Sequence, residues 1–153
     1  MNQERIRLWV EALRSGSYRQ ARHKLKVALR DSDGNLTEDV GYCCLGVMCE
    51  VAIANGLNLA TEEEPGGTEP YYRYGVPGRP ESWSGGYPPS VVLDWYGIGG
   101  TADGGPIYVG SHPDGKRIYA VEANDDIRWD FNRIADGVER IYLTDPTAEE
   151  VAS

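Results

Sequence analysis

Three cysteines stand close together in the segment Gly41-Tyr42-Cys43-Cys44-Leu45-Gly46-Val47-Met48-Cys49. A thiol in the first turn of a helix feels the positive end of the helix dipole. That lowers its pKa and favours the nucleophilic thiolate. A cysteine hydrolase also needs a histidine base. The chain offers His23 and His112, and Cys43 or Cys44 with His112 is the pairing such an enzyme would use. The simpler reading of the same cysteines is as small buried hydrophobes on a core helix. A vicinal pair with a third cysteine farther along does not match the spacing of structural zinc sites. Neither catalytic nor metal-binding residues are therefore assigned, and no cofactor is implied. An odd number of cysteines makes a poor disulfide framework, so reduced thiols in a reducing compartment are expected.

The basic side chains form a second group. Residues 1–30 carry eight Lys or Arg against two Glu, while the rest of the chain carries seven basic and 22 acidic side chains. Arg19, Arg22, His23 and Lys26 recur at i, i+3, i+4 and i+7, which predicts one face of a helix. Such a face offers several donors to phosphate or carboxylate oxygens. The acidic remainder repels a long polyanion, whereas a compact anion sees mainly the local field. A solvated helix face accounts for the same four residues. Ten Tyr and four Trp outnumber a single Phe. Of these, Tyr71, Tyr72, Tyr74, Trp83 and Tyr87 fall in one polar stretch. There they would stack on a base, anchor a protein partner, or fold back as a lid. Asn124 and Asp125 could hydrogen-bond a base or ribose, or merely cap a helix. The ligand-binding set is thus Arg19, Arg22, Lys26, Tyr42, Asn124 and Asp125.

These residues need elements to position them. Asn2 to Arg14 reads as a helix with the apolar stripe Ile6, Trp9, Val10 and Leu13, ended by Ser15-Gly16. Ser17 caps a short second helix from Tyr18. The alternation of Leu25, Val27 and Leu29 then passes into a strand, closed by the turn Asp31-Ser32-Asp33-Gly34. Tyr42 to Asn55 is a broadly apolar, central helix. Residues 61–87 show no apolar periodicity and read as a long irregular loop. Pro88-Pro89 opens a helix from Ser90 to Tyr96, stopped by Gly97. The glycine-rich stretch from Gly97 to Gly105 fits neither nucleotide fingerprint and reads as a connector. Residues 107–109 and 117–121 flank a His112-Pro113-Asp114-Gly115 turn, a hairpin. Asn124, Asp125 or Asp126 caps a last helix with the stripe Ile127, Phe131, Ile134, Ala135, Val138 and Ile141. Residues 146–153 read as a flexible acidic tail. Together these give one α+β domain over residues 1–153, about four helices on a small sheet with a β-hairpin.

The charged N-terminus lacks the pattern of a secretory signal, and no apolar run reaches the ~18 residues of a membrane span. A cytoplasmic protein is expected.

Three blocks resemble a family of small uncharacterised phage, prophage and actinobacterial proteins. They are Ala12-Leu13-Arg14-Ser15-Gly16-Ser17-Tyr18-Arg19-Gln20 with Leu25, then Tyr42 to Cys49, then Asn124-Asp125 with Phe131, Ile134, Ala135 and Asp136. The helix ending Asp94-Trp95-Tyr96-Gly97 is similar to that family's middle helix. The resemblance implies a phage-type accessory protein in a host bacterial cytoplasm and carries no activity with it. By analogy, such a protein blocks host defence. It would either sequester a nucleotide-derived signal, such as a cyclic nucleotide, or bind a defence protein as an interaction module or nucleic-acid mimic. A homo-oligomer is compatible with either role.

Overall fold

The computed structural model describes residues 1–64, 70–98 and 107–143. Helix α1 (Gln3–Arg14) is capped by Asn2, whose side chain accepts from the Arg5 amide. It buries Ile6, Trp9, Val10 and Leu13 as the periodicity predicts. Strands β1 (Lys26–Arg30) and β2 (Leu36–Tyr42) form a hairpin around the Asp31–Gly34 turn. Helix α2 (Cys44–Ala54) follows directly and is apolar on almost every side. It occupies the middle of the molecule, touching α1, β2, α3 (Ser90–Tyr96) and α4 (Ala120–Glu122). Strands β3 (Ala60–Glu64) and β4 (Tyr71–Gly75) complete an antiparallel sheet of order β2-β1-β4-β3. Strands β5 (Tyr108–Ser111) and β6 (Arg117–Tyr119) make a separate hairpin, and α5 (Phe131–Tyr142) packs between β5 and α1. The class is α+β. No described helix is long and apolar enough to cross a membrane.

Two helices are docked through glycines. A Cβ on Gly46 of α2 would collide with the Leu25 carbonyl, and one on Gly137 of α5 would collide with the Val109 carbonyl. Both helices therefore lie directly against backbone, closer than any side chain permits. The large side chains facing them have satisfied polar tips. Trp9 Nε1 donates to the Cys44 carbonyl at 2.9 Å, and the Tyr96 hydroxyl to the Met48 carbonyl at 2.7 Å.

Three expectations are corrected. Residues 18–25 form no helix. A segment this short is marginal as a helix, and its backbone groups find better partners elsewhere. The Arg19 carbonyl accepts from the Tyr42 amide and the Ala21 amide donates to the Tyr42 carbonyl, so the segment runs alongside β2. His23 adopts a left-handed φ of 74°, which a helix forbids. The strand pattern prevails from Lys26 onward.

Residues 61–87 are not one irregular loop, because they contain most of β3, all of β4 and a 3₁₀ turn at Pro80–Ser82. Their alternation is of tyrosine and charge rather than of aliphatic residues. Tyrosine suits a strand, and Arg73 on β4 pairs with Glu62 and Glu64 on β3.

The last helix starts later than expected. Asp130 is its cap, its side chain accepting from the Arg133 amide at 2.8 Å. Arg128 stands in the left-handed region and separates α5 from the wide turn Ala123–Ile127. Ile127, the first residue of the expected stripe, is exposed. The expected tail, 146–153, and most of the glycine-rich stretch, 99–105, lie outside the described residues.

Among the described residues, Asn124 is the one buried side chain outside the hydrophobic and aromatic types. Its Oδ1 accepts from the Cys44 amide at 3.2 Å and from Gln20 Nε2 at 2.8 Å. Its Nδ2 donates to the Ala21 carbonyl at 2.9 Å and to Asp125 Oδ1 at 2.8 Å. Asn124→Ala leaves the Cys44 amide and the Ala21 carbonyl without those partners. It should cost about 2–4 kcal/mol in urea unfolding. A loss under about 1 kcal/mol would mean that water replaces the asparagine at little cost.

Candidate functional site

The chain that leaves α1 and the edge strand β2 enclose an open cleft of about 410 Å³. Gly16, Ser17, Tyr18 and Arg19 line one side, and Glu38, Asp39, Val40 and Tyr42 the other. That volume lies in the roughly 300–1,000 Å³ range of small-ligand pockets. The walls are tied together by the backbone bonds between Arg19, Ala21 and Tyr42. Tyr18 meets Tyr42 edge to face, with ring centroids 5.3 Å apart. The pKa of both phenols is raised, Tyr42 to about 12, first by burial and then by the negative charge of Glu50. At neutral pH both are therefore neutral hydroxyl donors.

The two acids line the cleft because β2 is irregular. Ala28 pairs with Val40 and Arg30 with Leu36, so four steps along β2 match two along β1. In a regular strand, consecutive side chains point to opposite faces. The extra residues break that alternation and bring Glu38 and Asp39 to one cleft. Thr37 holds the bulge, donating from Oγ1 to the Leu29 carbonyl and accepting from the Asp39 amide. Arg19, Glu38 and Asp39 are exposed, and their charged groups have no ion-pair or hydrogen-bond partner among the described residues.

Of the six expected binding residues, Arg19 and Tyr42 meet in this cleft. Lys26 lies over the rings of Tyr42 and Tyr72, at 5.6 and 4.7 Å from their centroids. Arg22 does not line it, and its Nε is buried without a partner among the described residues. Asn124 and Asp125 are engaged in the buried clasp, where Asp125 Oδ1 also accepts from the His23 amide at 2.9 Å. Neither caps α5. The basic i, i+3, i+4, i+7 row therefore does not form a single face. The aromatic stretch is likewise dispersed. Tyr71, Tyr72 and Tyr74 belong to β4, and Tyr74 is buried with its hydroxyl on Glu50 at 2.8 Å. Glu38 and Asp39 were not anticipated from sequence. The Asp31–Gly34 turn after a strand was the available signal, since it requires a returning strand through them.

The cysteines are decided by two opposed effects. Backbone amides at the start of α2 favour the thiolate, but burial outweighs them and pushes Cys43 up to about 12. Cys44 and Cys49 are raised further, again mainly by burial. The Cys44 thiol donates to the Ala120 carbonyl at 3.5 Å. His112 pairs instead with Glu122, 3.2 Å away. All three thiols are free. No cluster of three potential metal ligands occurs among the described residues.

A second cleft of about 360 Å³ lies beside Arg73, Arg79, Pro80 and Trp83, but its Arg73 is already paired with two glutamates.

A family model described as Domain of unknown function (DUF8296) matches residues 1–142. No curated protein and no solved structure matches the chain.

Alkylation of the three thiols in the folded protein should be on the order of a hundredfold slower than in urea, limited by opening of the fold. One fast-reacting thiol would restore a nucleophilic role. The raised Cys43 pKa also has a sign. The thiol is protonated in the fold and ionises first in the unfolded chain, so its stabilisation is complete below pH 9.0. It is lost as pH rises from there towards about 12. Urea midpoints measured across that range should fall accordingly.

Proposed function

We propose that this chain, which belongs to the DUF8296 family, is a non-enzymatic binding protein. It captures a small nucleotide-derived anion in the cleft between Gly16–Arg19 and Glu38–Tyr42. The observation that carries this reading is Arg19. It lines a cleft of ligand size, and its guanidinium is committed to no described partner. An exposed arginine held on a fixed backbone is a ready fork for phosphate oxygens. Ser17 and the two neutral phenols supply hydroxyl donors beside it. The protonated, buried thiols favour capture over cysteine-dependent hydrolysis. In this reading the protein is a phage-type accessory factor, and the ligand is a signal of the host's defence in the bacterial cytoplasm. That part rests on the resemblance of the sequence blocks.

The test is a thermal-shift screen with mononucleotides, cyclic dinucleotides, cyclic oligonucleotides and ADP-ribose. A true ligand at about 100 times its Kd should raise Tm by roughly 5–10 °C. It should be recovered intact on release, and Arg19→Glu should abolish the shift without lowering the Tm of the free protein. Consumption of the ligand would make the protein an enzyme. No shift with any compound would favour the protein-interaction reading, to be pursued by capture from host lysate.

A further inference from the structure

The cleft is lined by one arginine and two acidic residues, so a bare phosphate would meet more negative than positive charge there. Whatever binds must therefore bring hydrogen-bond donors as well as an anion. We infer that the ligand is a guanine nucleotide, its base edge donating to the carboxylates of Glu38 and Asp39 and its phosphate resting on Arg19. This inference rests on the binding function proposed above and names its ligand class.

A carboxylate presents two acceptor oxygens side by side and, when ionised, donates nothing. Its best partner has two parallel N–H groups. Among the common bases only guanine has such an edge, formed by N1–H and the exocyclic N2 amine. Adenine and cytosine each set one amine beside a ring nitrogen acceptor, whose lone pair would face a carboxylate oxygen. Uracil sets one N–H between two carbonyls.

The cleft fits this pattern in three respects. First, Glu38 and Asp39 are without partners among the described residues, so binding a base breaks no existing ion pair. Second, the bulge of β2 places both acids in the cleft lining, where a regular strand would turn one away. Third, Tyr18 and Tyr42 meet edge to face across the cleft, and the partly exposed ring of Tyr18 offers a stacking surface to a purine.

The experiment is calorimetry with GMP and AMP on the wild-type chain, Arg19→Glu, and the double variant Glu38→Gln/Asp39→Asn. All three positions are exposed, so the variants should fold, which circular dichroism checks. GMP should bind at least about tenfold more tightly than AMP, the order of discrimination given by one good bidentate pair. The double variant should bring GMP down to the AMP level and leave AMP unchanged or improved. Arg19→Glu should weaken both nucleotides. Equal affinity for GMP and AMP, both lost in Arg19→Glu, would overturn the guanine assignment while leaving the anion-binding function intact. Free arginine binding as tightly as GMP would also overturn it, since the acids would then be reading a cation. Absence of binding by either nucleotide would remove both this inference and the mononucleotide form of the proposal.

Discussion

The structure depends on what happens at the first turn of α2. A helix start leaves amides that its own carbonyls cannot reach, and here they are sealed inside the protein. Cys43, at the cap position, makes no side-chain capping hydrogen bond. Asn124, eighty residues later in the chain, supplies one to the Cys44 amide. The same side chain grips Gln20 and the Ala21 carbonyl. One buried amide thus joins the central helix, the segment after α1 and the wide turn before α5. Buried polar groups are costly unless fully bonded, and this one uses both its acceptor and its donor. The clasp also explains why residues 18–25 are not helical, since their backbone is held by groups from elsewhere in the chain.

That arrangement determines the chemistry available at the surface. The segment held by Asn124 is the one that carries Tyr18 and Arg19 to the edge of β2. The cleft is therefore a consequence of the clasp, although no clasp residue lines it. It combines both signs of charge without pairing them, and such a site discriminates by pattern rather than by attraction alone. The cysteine segment goes the other way. Its position at a helix start favours a thiolate, but full burial decides in favour of the neutral thiol. Gly46 in that segment has a packing role, because only a glycine lets α2 lie on the Leu25 carbonyl.

Much of the fold was legible in the sequence. The stripe of α1, the apolar character of α2, the Pro-led α3 with its left-handed Gly97 and the β5–β6 hairpin all follow from local rules. Local patterns misled where periodicity was accidental. Arg19, Arg22, His23 and Lys26 have helical spacing, but no turn of helix joins them. Ile127 is in phase with Phe131, yet a left-handed Arg128 lies between them. Strand β3 carries three successive glutamates and hides from any search for apolar alternation, because an edge strand is free to be charged.

The sequence by itself determined the α+β class and the buried helix at its centre. Each rests on near-neighbour spacing and residue type, which act over a few positions. Only the tertiary structure decided that Asn124 is a structural clasp and that Glu38 and Asp39 line the same cleft as Arg19. It alone also placed Arg22 and Lys26 outside the cleft lining. Those facts depend on strand register and on contacts between residues some twenty to a hundred positions apart. No local pattern encodes them, because the energy that fixes them comes from burying a polar group and from pairing strands.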